Sequence, residues 1–557
     1  MHKQSIFLSF NFSLIIFICV IVTGENAIAQ NPLVKVWDKT YGGYGDEYLY
    51  SFSPTNDGGY ILGGSTNSGT GGNITDTSRG FLDYWIIKLD SLGNKLWDKR
   101  FGGPDWDYLI SLQQTTDDGF ILGGFSSSGI GGDKTQAARG GTMDYWIVKV
   151  DSTGNKEWDK DFGGMGSDEL CTIVQTPDGG YMAGGLSNSE LGGDKSQGLW
   201  GTQSFPDYWI LKMDSQGNKE WDKDYGGTDH DYYAAMANTS DHGYLLGGYS
   251  ISGIGGDKTQ PLCGAYADMW VLKIDSAGNK EWDKDFGGTG GDDISSIAQT
   301  SDHGFILGGT SSSGISGNKT EPLCANGSDY WIIKIDALGN VLWDHDFGGS
   351  STETYFDNII VTQDEGFILA GTSYSNISCD KTENNLGVNQ TWIIKLDSLG
   401  IKVWDKTLLV NNDSEHGYVY QAKDGCYVMA NYNDGSVAGD KSEAALGFSL
   451  DYWIIKFCDT TLLTNISPSP KDNLIPGIDI VPNPATNQFS VTGKQIEKGE
   501  LEIFNLLGEK IFLAKAADCL PIAIGTFTVD CRFFPRGIYF VRVSNSEKQL
   551  TQKLIIE

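Results

Sequence analysis

The chain has 557 residues, a formal net charge of −32 and a pI near 4.4. This length exceeds what one ordinary hydrophobic core supports unless the fold is repetitive. The acidic balance argues against a nucleic-acid partner and against adhesion to anionic lipid by charge alone, because both call for basic surfaces.

The N-terminus has the features of a secretory signal peptide. His2 and Lys3 precede the apolar stretch "LIIFICVIV", and "AIA" at 27–29 gives a small-x-small cleavage site. We therefore predict a signal peptide over residues 1–29, cleaved between Ala29 and Gln30. No later segment approaches the roughly 18 apolar residues of a membrane span, so we expect no transmembrane segment after signal removal.

Two series of seven tryptophans run along the chain after the signal, each advancing by 60 to 63 residues. The first series lies in W-D pairs: Trp37, Trp97, Trp158, Trp221, Trp282, Trp343 and Trp404. The second lies in strands of the type "DYWIIKLD": Trp85, Trp146, Trp209, Trp270, Trp331, Trp392 and Trp453. Repetition at such a period is typical of solenoids and propellers.

Each repeat predicts four antiparallel strands, a to d, rich in Ile, Val, Tyr, Phe and Trp and separated by Asp/Asn/Gly turns. Four strands repeated seven times favour an all-β fold, a seven-bladed β-propeller over residues 31–458. The chain begins with a lone d strand around Trp37 and ends with a, b and c. We therefore predict that residues 34–40 pair antiparallel with 451–457, which closes the ring and removes two exposed edges.

The repeat stops after Phe457, and a polar, Pro-containing segment predicts a linker over 459–477. From 478 to 557 a new domain carries "IVPNPATNQFSV", "LEIFNLLGEKIF" and "FPRGIYFVRVSNSEKQLTQKLIIE". In this order these motifs resemble the type A C-terminal sorting domain of the Bacteroidota type IX secretion system. The motif positions are Pro482, Asn483, Pro484, Gly508, Gly537, Tyr539 and Lys553.

The resemblance implies a small Ig-like β-sandwich that the type IX secretion machinery reads at the outer membrane. It implies a protein that passes through the periplasm and is secreted or displayed on the outer cell surface. There it would be anchored to surface lipopolysaccharide or released. The repeats are similar to the roughly 60-residue propeller repeats of such exported proteins, and that architecture implies no activity.

In six repeats an acidic residue follows a G-G and opens the predicted innermost strand; the seventh repeat lacks the G-G, and Glu415 falls near the equivalent place. These residues predict a carboxylate ring at the channel mouth, which could hold Ca²⁺ as its cofactor. The alternative is local: each carboxylate accepts a hydrogen bond from the preceding glycine turn. The ring residues are Glu47, Asp107, Asp168, Asp231, Asp292, Glu353 and Glu415.

Two kinds of loop also contain candidate sites. The "GGDKT" loops between strands b and c are the longest and most variable, which favours ligand recognition there. They lack the ligand spacing of a calcium loop, so their Asp and Lys side chains indicate a turn with an ion pair. The c–d turns contain an Asp-Ser-apolar pattern similar to a Bacteroidota O-glycosylation sequon, or else simply good turn residues. The candidate acceptors are Ser91, Ser152, Ser276 and Ser398.

No catalytic constellation stands out from the repeats. The T-x-D-x-G turns are loosely similar to sialidase Asp-boxes, but the arginines that such an enzyme needs are confined to the first blades. We therefore expect a non-catalytic binding or adhesion propeller with an unknown glycan or protein ligand. The alternatives are a glycan-active hydrolase or lyase with a site on the channel face, and a structural component of the cell surface. A glycosidase would need two carboxylates in one cleft.

Overall fold

We describe the protein from a computed structural model. The structure describes residues 33–459, except 202–204, 326 and 448, and most strands of the segment 479–556. The described residues form strands and turns, with no helix among them. The predicted signal peptide, including Ala29 and Gln30, and the predicted linker core lie outside the described residues.

Seven four-stranded antiparallel sheets make up the described part of residues 33–459. The first strand of the chain, β1 (Leu33–Tyr41), belongs to the last of these blades. Blade 1 contains β2 (Glu47–Pro54), β3 (Tyr60–Thr66), β4 (Asp83–Leu89) and β5 (Lys95–Phe101). Blade 2 contains β6 (Asp107–Gln114), β7 (Phe120–Ser126), β8 (Asp144–Val150) and β9 (Lys156–Phe162). Blade 3 contains β10 (Asp168–Gln175), β11 (Tyr181–Ser187), β12 (Asp207–Met213) and β13 (Lys219–Tyr225).

The remaining blades repeat this order. Blade 4 contains β14 (Asp231–Asn238), β15 (Tyr244–Ser250), β16 (Asp268–Ile274) and β17 (Lys280–Phe286). Blade 5 contains β18 (Asp292–Gln299), β19 (Phe305–Ser311), β20 (Asp329–Ile335) and β21 (Val341–Phe347). Blade 6 contains β22 (Glu353–Val361), β23 (Phe367–Ser373), β24 (Gln390–Leu396) and β25 (Lys402–Thr407). Blade 7 contains β26 (Ser414–Gln421), β27 (Tyr427–Asn433), β28 (Asp451–Asp459) and β1.

The first strand of each blade is the innermost one. These strands contact one another from blade to blade around the whole ring, and β26 of blade 7 contacts β2 of blade 1. Within each blade the order from the axis outward is a, b, c and d. The sequence prediction of an all-β, seven-bladed propeller is confirmed.

The ring closes through its N-terminal strand, as predicted. β1 pairs antiparallel with β28, with Thr40 opposite Trp453 and Asp38 opposite Ile455. The Trp453 indole Nε1 also donates a hydrogen bond to Asp38 Oδ2 at 3.1 Å. This last bond joins residues 415 positions apart and repeats a contact that the other blades make within one repeat.

Burial of the third strand explains its apolar sequence. Every residue of β8, including Tyr145 and Trp146, is buried. A strand covered on both faces is what stacked sheets require, and large buried aromatics supply most of the stabilising area. The hydrophobic clusters accordingly run from one blade into the next rather than within single blades.

The turns use their Asp and Gly residues as the sequence predicts. In the c–d turn of blade 2, Asp151 Oδ1 accepts hydrogen bonds from the backbone N–H groups of Thr153 and Asn155, at 2.8 and 2.9 Å. Gly154 in the same turn has φ of 79°, a left-handed conformation that glycine adopts without steric cost. His242 and His303 occupy the equivalent left-handed position of two a–b turns, with φ of 67° and 65°.

Two disulfides lie in the propeller. In the sequence, Cys426 begins one predicted strand and Cys458 ends the next, so a hairpin could bring them together, and the two are bonded in blade 7. Cys263 and Cys324 occupy equal positions in successive repeats, which predicts two unpaired copies of one loop residue, but Cys324 is bonded to Cys379. The sequence also offers Cys519 and Cys531 as a pair, and Cys519 lies outside the described residues.

The C-terminal segment forms two further sheets. The strands are β29 (Asp479–Val481), β30 (Gln488–Thr492), β31 (Glu500–Phe504), β32 (Lys510–Lys515), β33 (Thr526–Asp530), β34 (Gly537–Ser544) and β35 (Gln549–Ile556). One sheet has the order β29-β30-β33 and the other β32-β31-β34-β35. Buried side chains such as Phe489, Leu501 and Tyr539, which come from both sheets, form the core of this segment. An Ig-like arrangement of the two sheets stays a prediction.

Candidate functional site at the channel mouth

The predicted acidic residues at the start of the inner strands are buried. Asp107 is fully buried; its Oδ2 accepts hydrogen bonds from the Gly103 N–H at 2.7 Å and from Ser128 Oγ at 3.1 Å. Burial raises the pKa of Asp107 to about 6 against these hydrogen bonds. Glu47, Asp168, Asp231 and Asp292 accept the equivalent glycine N–H, so the observed contacts are those of the local alternative.

Buried lysines and further carboxyls lie near these carboxylates. In blade 3, Lys195 Nζ lies 2.6 Å from Asp224 Oδ1, and both side chains are buried. Lys195 also acts electrostatically on Asp168 and Asp207. Three carboxyls thus share one lysine. Burial raises the pKa of Asp224 to about 7 and that of Asp207 to about 8.

The seventh predicted member of the ring, Glu415, lies one position away from the place that the other six occupy. Ser414 begins β26 and pairs with Asn433, just as Asp107 begins β6 and pairs with Ser126. Glu415 lies one residue further along, opposite Tyr432. The missing G-G in blade 7 hid this offset from the sequence. Within the described part of the chain, no group of three or more His, Cys, Asp or Glu side chains is placed to hold a metal ion. A calcium-binding ring stays an untested prediction.

The b–c loops connect neighbouring blades. Arg79 Nε lies 3.0 Å from Asp133 Oδ2 of the next blade, and Arg139 Nε lies 2.7 Å from Asp194 Oδ2. In blade 3 the same place is taken by Trp200, whose indole N–H donates to Asp257 Oδ2 at 2.8 Å. The Cys324–Cys379 disulfide makes the corresponding connection between blades 5 and 6. These contacts give the early arginines a structural role.

The candidate O-glycosylation serines lie on the c–d turns, on the opposite face of the ring from the b–c loops. Ser152, Ser276 and Ser398 are exposed, and Ser91 is half-buried. Whether they carry glycans stays a prediction. Of the sorting-motif residues, Gly537 begins β34, Lys553 pairs with Phe540 and Tyr539 is buried, whereas Pro482, Asn483, Pro484 and Gly508 lie outside the described residues.

The repeat breaks on the inner strands of blades 6 and 7. The inner strand of blade 2 has one irregularity, between Leu109 and Ser111, whereas β22 has two in succession. Tyr355 lies at the first irregularity of β22, and His416 lies at an irregularity of β26. Their φ angles are 44° and 54°, a conformation that non-glycine residues rarely adopt. Strained backbone of this kind clusters at functional sites. The sequence interpretation found no such break, because it compared motifs and could not see bulges.

A contact between a histidine and a carboxylate joins the two broken strands. His416 Nδ1 lies 2.6 Å from Asp357 Oδ1, and the Gly417 N–H donates to Asp357 Oδ2 at 2.6 Å. Burial raises the pKa of Asp357, and the neighbouring His416 opposes that rise. Sequence reasoning treated His416 as scattered. Its partner lies 59 residues away in another blade, and no periodic signal links the two.

Aromatic rings surround this pair and continue along the inner strands. The His416 ring lies 4.6 Å from the ring of Tyr355 and 5.6 Å from that of Tyr432. Tyr432 contacts Tyr48, which lies beside Tyr50 on β2. On the neighbouring inner strand β6, Tyr108 stacks on Trp106, which in turn stacks on Phe81. We name this set the aromatic arc: Tyr355, His416, Tyr432, Tyr48, Tyr50, Tyr108, Trp106 and Phe81.

The arc lies beside the channel and is open to solvent at its ends. Tyr355 is 48% exposed, Trp106 44% and Phe81 62%. Phe81 and Trp106 are nearly parallel, with ring centroids 5.9 Å apart. Exposed apolar surface of this extent marks ligand or partner sites more often than chance placement.

Comparison with known proteins identifies the tail. Residues 479–557 match the family described as "Secretion system C-terminal sorting domain". The chain is therefore a type IX secretion substrate: repeated four-stranded blades followed by a sorting domain that directs export to the cell surface or medium. Among the described residues, none forms an apolar helix with the length needed to cross a bilayer.

No curated protein sequence matches this chain. The similar solved structures include the Pan2 WD40 domain of Neurospora crassa, at 10% identity and a TM-score of 0.40, covering 75% of this chain and 95% of that one. They also include a fungal alcohol oxidase in complex with copper, at 10% identity and a TM-score of 0.39, covering 94% and 100%. A puromycin hydrolase mutant matches at 10% identity and a TM-score of 0.35, covering 70% and 50%. Similarities this low carry no argument about activity.

Proposed function

We propose that this exported propeller is a non-catalytic binding protein and that its ligand surface is the inner mouth of the ring. The observation that carries the proposal is that the blades differ in one residue at the channel mouth, the second residue of the inner strand. The second residue of the inner strand is Tyr48, Tyr108 or Tyr232 in some blades and Glu169, Asp293 or Thr354 in others. The blade architecture accommodates all of these residue types at this position.

The rest of the blade repeats closely, as a scaffold should. The b–c loops, which the sequence favoured for recognition, are partly occupied by contacts between blades. They still expose an aliphatic residue at one repeated position, for example Ile130 and Ile254, and so they form the competing surface. A structural role at the cell surface would require neither the aromatic arc nor its departure from the repeat.

We further propose that residues 1–29 are removed during export, that 31–458 form the binding unit and that 478–557 act as the sorting signal. The sorting tail supports handling by the type IX machinery. Attachment to surface lipopolysaccharide and release into the medium are the two possible ends of this route.

The test is an array of glycans, peptides and surface polymers probed with the mature full-length protein. We expect binding without turnover, and a loss of binding in Tyr108→Thr, which copies the residue at that place in blade 6. Tyr266→Thr, an exposed tyrosine of a blade 4 loop, is the matched control. Binding that is equal in all three proteins would contradict the proposed surface.

A glycan-active enzyme is the second candidate, and the pair of His416 with Asp357 is the observation that favours it. A carboxylate that fixes the tautomer of a histidine is a common part of acid–base catalysis. Product release from any arrayed glycan, abolished in His416→Gln, would replace the binding proposal with this one.

A further inference from the structure

We propose that the aromatic arc binds a substituted-ammonium cation at the channel mouth. This inference rests on the proposed function and specifies its ligand class. Three independent features support it: the ring faces themselves, the charge of the inner strands and the replacement of the rings elsewhere in the repeat.

The first feature is the arrangement of the ring faces. Tyr48 and Tyr50 lie nearly parallel on β2, with centroids 6.4 Å apart and an interplanar angle of 14°. β6, which carries Tyr108, contacts β2, and the Tyr108 hydroxyl adds to the burial that raises the pKa values of Tyr48 and Tyr50. Rings from blades 7, 1 and 2 therefore converge on one part of the mouth. The face of each ring carries partial negative charge, which attracts a cation placed over it.

The charge of the inner strands selects the same ligand. The seven inner strands contain no Lys or Arg. Carboxylates lie near the rings: Asp46 interacts with Tyr48, and Asp357 contacts His416. Burial raises the pKa of Tyr50 to about 12, so its phenol stays neutral at physiological pH. The mouth thus presents π faces within an acidic field that concentrates cations and repels anionic polymers.

The chemistry distinguishes an organic cation from a metal ion. A hard cation such as Ca²⁺ needs six or more converging oxygens, and the described residues provide no such group. A substituted ammonium is bulky and weakly hydrated, so aromatic faces can replace its water at low cost. A neutral sugar would use the rings but would gain nothing from the carboxylates.

The third feature is the replacement of the rings by other residues in some of the other blades. The place of Tyr108 in β6 is taken by Glu169 in β10 and by Thr354 in β22, and both blades fold. Trp106 likewise corresponds to Ser167 before β10. The aromatic residues, which recur in blade 4 as Tyr232, are therefore additions in some blades rather than packing that every blade requires.

The test is a calorimetric titration of the mature full-length protein with choline and with its uncharged carbon isostere, 3,3-dimethylbutan-1-ol. The two have the same shape and differ in charge. A cation–π contribution corresponds to roughly a fivefold to thirtyfold preference for choline. We expect this preference in the wild type and in Tyr266→Thr, and its loss in Tyr108→Thr and Tyr50→Leu.

The outcomes separate the two proposals. Equal binding of choline and its isostere, or no saturable choline binding, overturns the cation inference. If an arrayed neutral glycan then binds in a manner that depends on Tyr108, the binding function stands with a different ligand class. If neither choline nor any arrayed ligand depends on the aromatic arc, both proposals fail. Thermal melting of each variant confirms that it is folded.

Discussion

The buried charges of blade 1 show how single residues compensate one another. The lysine of the other b–c loops is replaced by Ile74, and the aspartate of the d strand is replaced by Arg100. Arg100 Nε lies 2.6 Å from Asp83 Oδ2, with both side chains fully buried. The positive charge has thus moved from the loop to the strand, and the cluster keeps one cation.

This exchange predicts a coupled effect on stability. Arg100→Asp alone leaves buried carboxyls without a cation and should lower the free energy of unfolding by about 3–5 kcal/mol. Adding Ile74→Lys recreates the arrangement of Lys195 and Asp224, and should recover most of the loss. Urea unfolding of the two single variants and the double variant measures the coupling. A double variant no more stable than Arg100→Asp would show that the blades do not share this design.

Asp168→Asn distinguishes the two interpretations of the acidic residues. The change keeps the volume but gives up a carboxylate that accepts from Gly164 and Ser189, both at 2.8 Å. We expect a loss of about 1–3 kcal/mol. Because the contacts are local, the loss should be the same in millimolar Ca²⁺ and in chelator. A calcium-dependent rise in the melting temperature that the variant lacks would restore the metal ring.

At the scale of elements, β1 completes blade 7. Deleting residues 31–41 should expose β28 and remove the bond between Trp453 and Asp38. We expect a strong fall in the melting temperature, since the apolar strand β28 would lose the strand that pairs with its outer edge. A chain that begins at residue 33 keeps β1 and is the control. If the deletion melts like the control, the ring does not depend on its closing strand.

The sequence predicts those features of the fold that recur in every repeat. The four strands, their turns and the closure by β1 recur or complete a period, so the sequence predicts them. Bulges leave no such signal, because one inserted residue such as Tyr355 changes register without changing composition. This is why the pair of His416 with Asp357 was missed. Glu415 was assigned to the ring for a different reason, because blade 7 lacks the G-G that marks the position in the other blades.

For the whole molecule, the charged clusters predict how stability depends on pH. The folded-state pKa values of Asp207, Asp224 and Asp285 are raised to about 8, 7 and 7, above the ordinary 3.8. The folded state therefore binds these protons more tightly than the unfolded state. Their contribution is fully present below pH 3.8 and is lost as the pH rises through 7 to 8.

Turn carboxylates act in the opposite direction at lower pH. The pKa of Asp178 is lowered to about 2, because its hydrogen bonds with Thr176 and Lys212 outweigh burial. Its contribution is lost as the pH falls from 3.8 towards 2.

Because the buried clusters lose their contribution as the pH rises, we expect the melting temperature to fall steadily between pH 5 and pH 8. Asp207→Asn should flatten this fall. A melting temperature that rises over that interval would contradict the protonated clusters.

An exported propeller that binds its ligand at the inner mouth should be protected there when the ligand is bound. Hydrogen–deuterium exchange of the mature protein, with and without a ligand identified on the array, tests this claim most directly. We predict slower exchange on ligand binding in the inner strands 47–54, 107–114, 353–361 and 414–421. Protection confined to the b–c loops, or spread evenly over all seven blades, would contradict it.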